Sequence, residues 1–218
     1  HYRGRSYPLS AIRWTGGTVD PAGHRYCLRF YLDGSVPVWE YRLRDALLER
    51  RLRMVHGRNE TRITYSLLQA AEPIILSVKV FASDRNHHAT TEGRPNLRVA
   101  AAPEALSLYQ EGESASTDSS RETASGSTEL LRVQWEGVPG TGGWQVVGET
   151  YYGAHLSRES YRGLPDREDL FAAGRGEMEI APEQSVELAL LGNGPGEAGG
   201  RWPGAMPVDR ETVLLAQF

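Results

Sequence analysis

The sequence predicts an all-β fold, mostly antiparallel, built as a sandwich or a barrel. About ten short runs alternate apolar with polar residues, which is the period of a strand with one buried face. Almost no helical stripe separates them, which excludes a parallel sheet with crossover helices. No motif recurs at a fixed period, which excludes a propeller or a solenoid.

The runs follow one another closely. Tyr26, Leu28, Phe30 and Leu32 alternate with Cys27, Arg29 and Tyr31, and Asp33-Gly34 supplies a turn. Trp39, Tyr41 and Leu43 line the next face, and Leu48, Leu52 and Met54 a third. A turn at His56-Gly57-Arg58-Asn59 leads to Thr61, Ile63, Tyr65 and Leu67. Pro73 opens a run through Ile74, Leu76, Val78 and Val80, and shorter runs cover 97–101 and 105–109. Residues 110–128 hold no large apolar side chain and read as a long mobile loop, because burial gives nothing to offset ordering. Strands resume at Leu131, Val133 and Trp135, then at 144–152, 176–181 and 185–191. A Gly- and Pro-rich loop spans 192–207. Asp209 is a candidate N-cap for a short terminal helix with a stripe of Val213, Leu214 and Phe218.

Composition narrows the class further. At 218 residues the chain makes one large domain or two small ones. Hydrophobic residues are 39%, enough for a sizeable core. No apolar run approaches the length of a membrane helix. A net charge of -4 with no basic block argues against nucleic acid as a partner. The single cysteine, Cys27, excludes an internal disulfide framework and a cysteine-rich zinc site, and in an alternating strand it reads as a small packing residue.

Several motifs have chemical readings that the surrounding sequence weakens. Gly194-x-Gly196-x-x-Gly199 matches a dinucleotide fingerprint in letters, but Gly200-Arg201-Trp202-Pro203 cannot start the helix that would face a pyrophosphate. It reads as a plain loop. Adjacent His87 and His88 point to opposite faces of a strand, so one metal does not take both. No metal and no cofactor are expected. Glu159, Asp166, Glu168 and Asp169 cluster in one segment. Paired carboxylates serve glycoside hydrolysis, yet Arg158, Arg162 and Arg167 are also placed to pair them as a surface lattice. Among the tryptophans, Trp39 and Trp135 alternate with apolar residues and read as core. Trp144 and Trp202 lie beside Gly-rich loops and are the more exposed candidates for stacking on sugar rings.

Three landmarks carry a family resemblance. Within residues 37–68 stand Pro37-Val38-Trp39-Glu40-Tyr41, Leu48-Glu49-Arg50, and Met54-Val55-His56-Gly57-Arg58-Asn59-Glu60-Thr61. Arg85-Asn86-His87-His88 follows, with Asn where the family usually has Asp. Glu159-Ser160-Tyr161-Arg162-Gly163-Leu164 and Glu168-Asp169-Leu170-Phe171 come last. In this order they resemble the N-terminal domain of bacterial and archaeal glycogen debranching enzymes, the amylo-α-1,6-glucosidase type.

The resemblance implies a two-layer β-sandwich of the large galactose-mutarotase-like kind, a supersandwich, over residues 1–208. It implies family strands upstream of His1, and residues 209–218 as the start of a linker helix to a catalytic toroid of paired helices. The partners implied are that C-terminal domain of the same polypeptide and an α-glucan such as glycogen or branched dextrin, in the cytoplasm, with no nucleic acid and no membrane. The catalytic carboxylates would then lie in the toroid, leaving this region to support it and to touch glucan. The candidate contacts are Trp39, Tyr41, Arg85, His88, Arg162 and Asp169, which sit in the family-like motifs. Two other readings are a self-sufficient carbohydrate-binding module and a mutarotase-like enzyme. The second would need a His and a Glu in one cleft, for which His88 and Glu159 are the pair.

Overall fold

The computed structural model describes residues 1–86, 89–110, 129–136 and 142–192, and the backbone of 214–217. Its strands are β1 (Ala11–Arg13), β2 (Val19–Ala22), β3 (Cys27–Asp33), β4 (Val36–Leu43), β5 (Ala46–Met54), β6 (Glu60–Gln69) and β7 (Ile74–Ala82). They continue as β8 (Leu97–Ala101), β9 (Ala105–Gln110), β10 (Glu129–Glu136), β11 (Trp144–His155), β12 (Arg167–Ile180), β13 (Ser185–Gly192) and β14 (Leu214–Gln217), with one short helix, α1 (Ser157–Tyr161). None of the described helices is long and apolar enough to cross a membrane.

An eight-stranded sheet runs in the order β3-β4-β5-β6-β13-β10-β9-β8 and a four-stranded sheet in the order β11-β12-β7-β14. The pairings are antiparallel. The alternation seen in the sequence explains how they pack. Leu48, Ile63, Tyr65, Leu67, Val133, Leu188 and Leu190 of the larger sheet share one buried cluster with Ile74, Val78, Val80, Phe171, Met178 and Ile180 of the smaller. Each such side chain contributes about 1.5–3 kcal/mol by leaving water. The all-β sandwich is therefore the fold. The expected runs from β3 to β11 and at β13 fall on strands, except that Tyr26 ends a 3-10 turn just before β3.

The two faces of the larger sheet differ chemically. Its outer face carries ion pairs: Arg29 with Glu40 at 2.6 Å, and Arg51 with both Glu49 and Asp33 at 2.7 Å. Arg62 reaches three carboxylates at once, those of Glu60, Glu136 and Glu187. Part of the outer face of the smaller sheet is instead covered by the β1–β2 ribbon. Ile12 of β1 packs there with Phe81, Ala154, Leu170 and Ala172 as a second small core.

Four details depart from the sequence reading. Trp144 is buried rather than exposed, stacked on Trp135 at 5.7 Å between ring centres. It lies over Gly176, where a Cβ would meet the indole at 2.8 Å, so the missing side chain makes room for the ring. Residues 214–217 form a strand on the free side of β7, not a helix. A short apolar run fits either geometry, and an open strand edge decides it. Glu168 and Asp169 lie at the start of β12, with Glu168 buried, rather than in a surface lattice. Finally, β3 alternates like its neighbours, yet Leu28, Phe30 and Leu32 are more than half exposed, because β3 lies at the margin of the wider sheet. Apart from Gln110 and Gly192, which end β9 and β13, the expected loops 110–128 and 192–207 lie outside the described residues, as do the Gly194–Gly199 motif, Trp202 and Asp209.

Candidate functional site

The connection from β7 to β8 crosses the start of β12, and the charges there hold it down. Glu168, the second residue of β12, is 2% exposed. Its carboxylate accepts Nε of Arg85 at 2.6 Å and Nη2 at 3.4 Å, a two-pronged guanidinium contact. It also accepts the Thr91 hydroxyl at 3.0 Å and the Thr91 backbone N–H at 3.3 Å. A charge this deep requires such satisfaction, because desolvation of an unpaired carboxylate costs several kcal/mol. Here the acid is fully supplied with donors.

Asp169 does the same for a different set of segments. One oxygen accepts the Gly93 N–H at 2.8 Å and the other the Gly153 N–H at 2.9 Å, while its own N–H donates to the Thr91 carbonyl at 2.9 Å. Gly153 sits within β11 at φ +78, and a Cβ there would stand 2.5 Å from the Thr15 hydroxyl oxygen. Only glycine meets both demands. The Gly153 carbonyl in turn accepts the Thr15 hydroxyl at 2.7 Å and the Thr15 N–H at 2.9 Å. Asp169 thus links the 91–93 loop, the end of the edge strand β11 and the β1–β2 turn.

That turn floors a cleft of about 490 Å³ lined by Arg13, Thr15, Gly16, Gly17, His155, Asp166 and Arg167. Nε2 of His155 lies 3.3 Å from the Asp166 carboxylate. The Asp166 carbonyl accepts the Leu156 N–H at 2.7 Å, which pins the segment that enters α1. Its carboxyl is held below the ordinary range, first by a hydrogen bond from Ser160, against some desolvation, and then by His155. The cleft presents guanidinium donors beside an ionised acceptor. This pairing suits hydroxyl groups, which both donate and accept. The neighbouring acids are committed elsewhere, so the geometry here does not set out the two opposed carboxylates that glycoside hydrolysis uses.

Five of the six sequence candidates fall into three separate places. Arg85 and Asp169 belong to the knot just described. Arg162 lies on the surface at the end of α1, 3.3 Å from Glu159 three residues earlier. Trp39 and Tyr41 share the inner face of β4, away from the knot. Tyr41 is buried in the core, and burial raises its phenol pKa. Trp39 is half-buried between Phe30, at 5.1 Å, and the Arg50 guanidinium, 4.0 Å above its ring. Its ring face is taken, so it offers no free stacking platform on that side. His88 lies outside the described residues, as does His87. Glu159, its partner in the mutarotase-like reading, is tied to Arg162.

Thr15, Thr91, Gly93, Gly153 and His155 escaped the sequence reading. One signal was available for Gly153: an isolated glycine inside the run Tyr151-Tyr152-Gly153-Ala154 marks close backbone approach. The others carry none, since their roles arise only where distant segments meet.

Among protein families, the one described as glycogen debranching enzyme N terminal matches residues 1–187. That span runs from β1 into β13 and holds the knot and the cleft together. No curated protein matches the chain.

Proposed function

The chain belongs to the glycogen debranching enzyme N-terminal family, and from that we propose that it is the non-catalytic β-sandwich domain of a cytoplasmic glycogen-debranching α-1,6-glucosidase. In this reading it supports the helical catalytic domain of the same polypeptide and adds contacts to the α-glucan. One observation carries the non-catalytic part. Glu168 and Asp169, the acids of the family-like motif, are engaged by Arg85, Thr91, Gly93 and Gly153, which leaves neither free to protonate a leaving group or activate water. The glucan contacts are assigned to the cleft, where Arg13 and Arg167 donate and Asp166 accepts, rather than to Trp39 and Tyr41.

Two measurements test this. Titration with maltooligosaccharide at about 1 mM should give heat, since single-site sugar contacts of this kind are weak. Replacing Arg13 and Arg167 by Ala should remove it. No heat from the unmodified chain overturns the glucan contact. Incubation of the chain alone with a branched dextrin should release no glucose, and measurable release overturns the non-catalytic role.

A further inference from the structure

The two margins of the eight-stranded sheet are treated differently. At one, β8 is overlaid by β11 of the smaller sheet. At the other, among the described residues β3 is paired by β4 alone, and Leu28, Phe30 and Leu32 are 51%, 56% and 62% exposed. Met54, on the same inner face of β5, is 75% exposed. Edge strands are ordinarily guarded by proline, lysine, an inward charge or short length. β3 is seven residues long and its inward side chains are apolar. Its one irregularity falls between Cys27 and Arg29, so 29–33 is regular.

These five residues are Arg29-Phe30-Tyr31-Leu32-Asp33, a sequence complementary to its own reverse. We propose that β3 is an interface for a second copy of this chain, paired antiparallel about a two-fold axis through Tyr31. The axis stands perpendicular to the sheet, so both inner faces stay on one side. Arg29 then lies across from Asp33 of the second copy, Phe30 across from its Leu32, and Tyr31 across from its Tyr31. Moving the axis to Phe30 sets Arg29 against Tyr31, and moving it to Leu32 sets Asp33 against Tyr31. Either move loses both ion pairs, so the charges select the register. Arg29 and Asp33 already contact Glu40 and Arg51, but their side chains remain 63% and 61% exposed. A guanidinium with five donors and a carboxylate with four acceptor sites can each take another partner. The interface is isologous, as closed dimers require, and it joins two sheets by main-chain hydrogen bonds while covering the exposed apolar row. This inference does not depend on the glucan reading.

Sedimentation of the whole chain up to about 100 μM, a range that captures small interfaces, should show a monomer–dimer equilibrium. Leu32→Lys places an ammonium in the joined apolar row and should weaken dimerisation about tenfold or more. The melting temperature should not move, since Leu32 is already exposed. In a Cys27→Ala background, Tyr31→Cys should form an intermolecular disulfide under mild oxidation, because the axis puts residue 31 opposite itself. Leu28→Cys should not, because it falls opposite Gly34 of the second copy. A monomer at every concentration overturns the proposal and leaves the row to another occupant. A dimer indifferent to Leu32→Lys overturns it too, and so does equal cross-linking at positions 28 and 31.

Discussion

Arg85 with Glu168 and Arg162 with Glu159 are the same chemical pair in two surroundings, and the acids come from one short stretch of chain. Glu168 is sealed under the β7–β8 connection and accepts four hydrogen bonds from residues far back in the sequence. Glu159 meets Arg162 across one turn of α1 in the open. In the first case the pair joins segments that only folding brings together, and water no longer competes. In the second, solvent and mobile side chains do most of what the partner does. The difference teaches that Arg–carboxylate spacing in a sequence says little about worth. What matters is how much chain lies between the partners and how much water remains around them.

The largest expected effect tests the sealed end of that comparison. Glu168→Ala leaves the Arg85 charge mostly buried without its carboxylate, and should lower the unfolding free energy by about 3–5 kcal/mol in urea denaturation. A loss under about 1 kcal/mol, the scale of an exposed pair, would erase the contrast. Asp169→Ala comes next. It frees the Gly93 and Gly153 amides and should cost about 1–3 kcal/mol, with both amides losing hydrogen-exchange protection. If only one of them loses protection, the two segments are held separately and Asp169 is not their common tie.

Glu187 occupies the middle ground on the outer sheet face. Burial pushes its carboxyl up, but hydrogen bonds and charge from Arg62, joined by Arg53, hold it below its ordinary 4.5. A folded value below the unfolded one contributes stability above the unfolded value, and that contribution is lost as pH falls through the folded value. The stability gap between the unmodified chain and Arg62→Gln should therefore be full at neutral pH and narrow below pH 4.5. A gap that does not change with pH would remove the ionised carboxylate from the account. The smallest effect is expected on the surface: Arg162→Ala should change stability by less than about 0.5 kcal/mol.

The sequence made the strands of the larger sheet legible, because each needs only its own alternation to be recognised. Tyr41, Ile63 and Val78 are buried as that alternation implies. Alternation does not say what covers a face. Residues 28–32 and residues 63–67 read alike, yet one row lies at an open margin and the other in the middle of the sheet. The start of β12 was illegible for a related reason. Arg167, Glu168 and Asp169 break the apolar pattern, and the groups that make a carboxylate acceptable inside a sheet, Arg85 and Thr91, lie on another part of the chain. The site candidates show the same limit. The resemblance offered Arg85, Asp169, Trp39, Tyr41 and Arg162 as contacts because each sits in a motif, and motifs carry no information on which residues share a place: the fold puts Arg85 and Asp169 in one knot and the other three elsewhere. Thr15 matters through its bonds to the Gly153 carbonyl, which no residue pattern encodes, and Gly153 shows in the sequence only as an isolated glycine in a strand run.

Asp169 divides its two oxygens between Gly93 and Gly153, and Gly153 passes the connection on to Thr15. Mechanically this is a strut with one loop at each end. The floor of the cleft cannot shift without drawing on the carboxylate that also anchors the 91–93 loop. Three consecutive hydrogen bonds, Thr15 to Gly153, Gly153 to Asp169 and Gly93 to Asp169, make up the whole length of that strut.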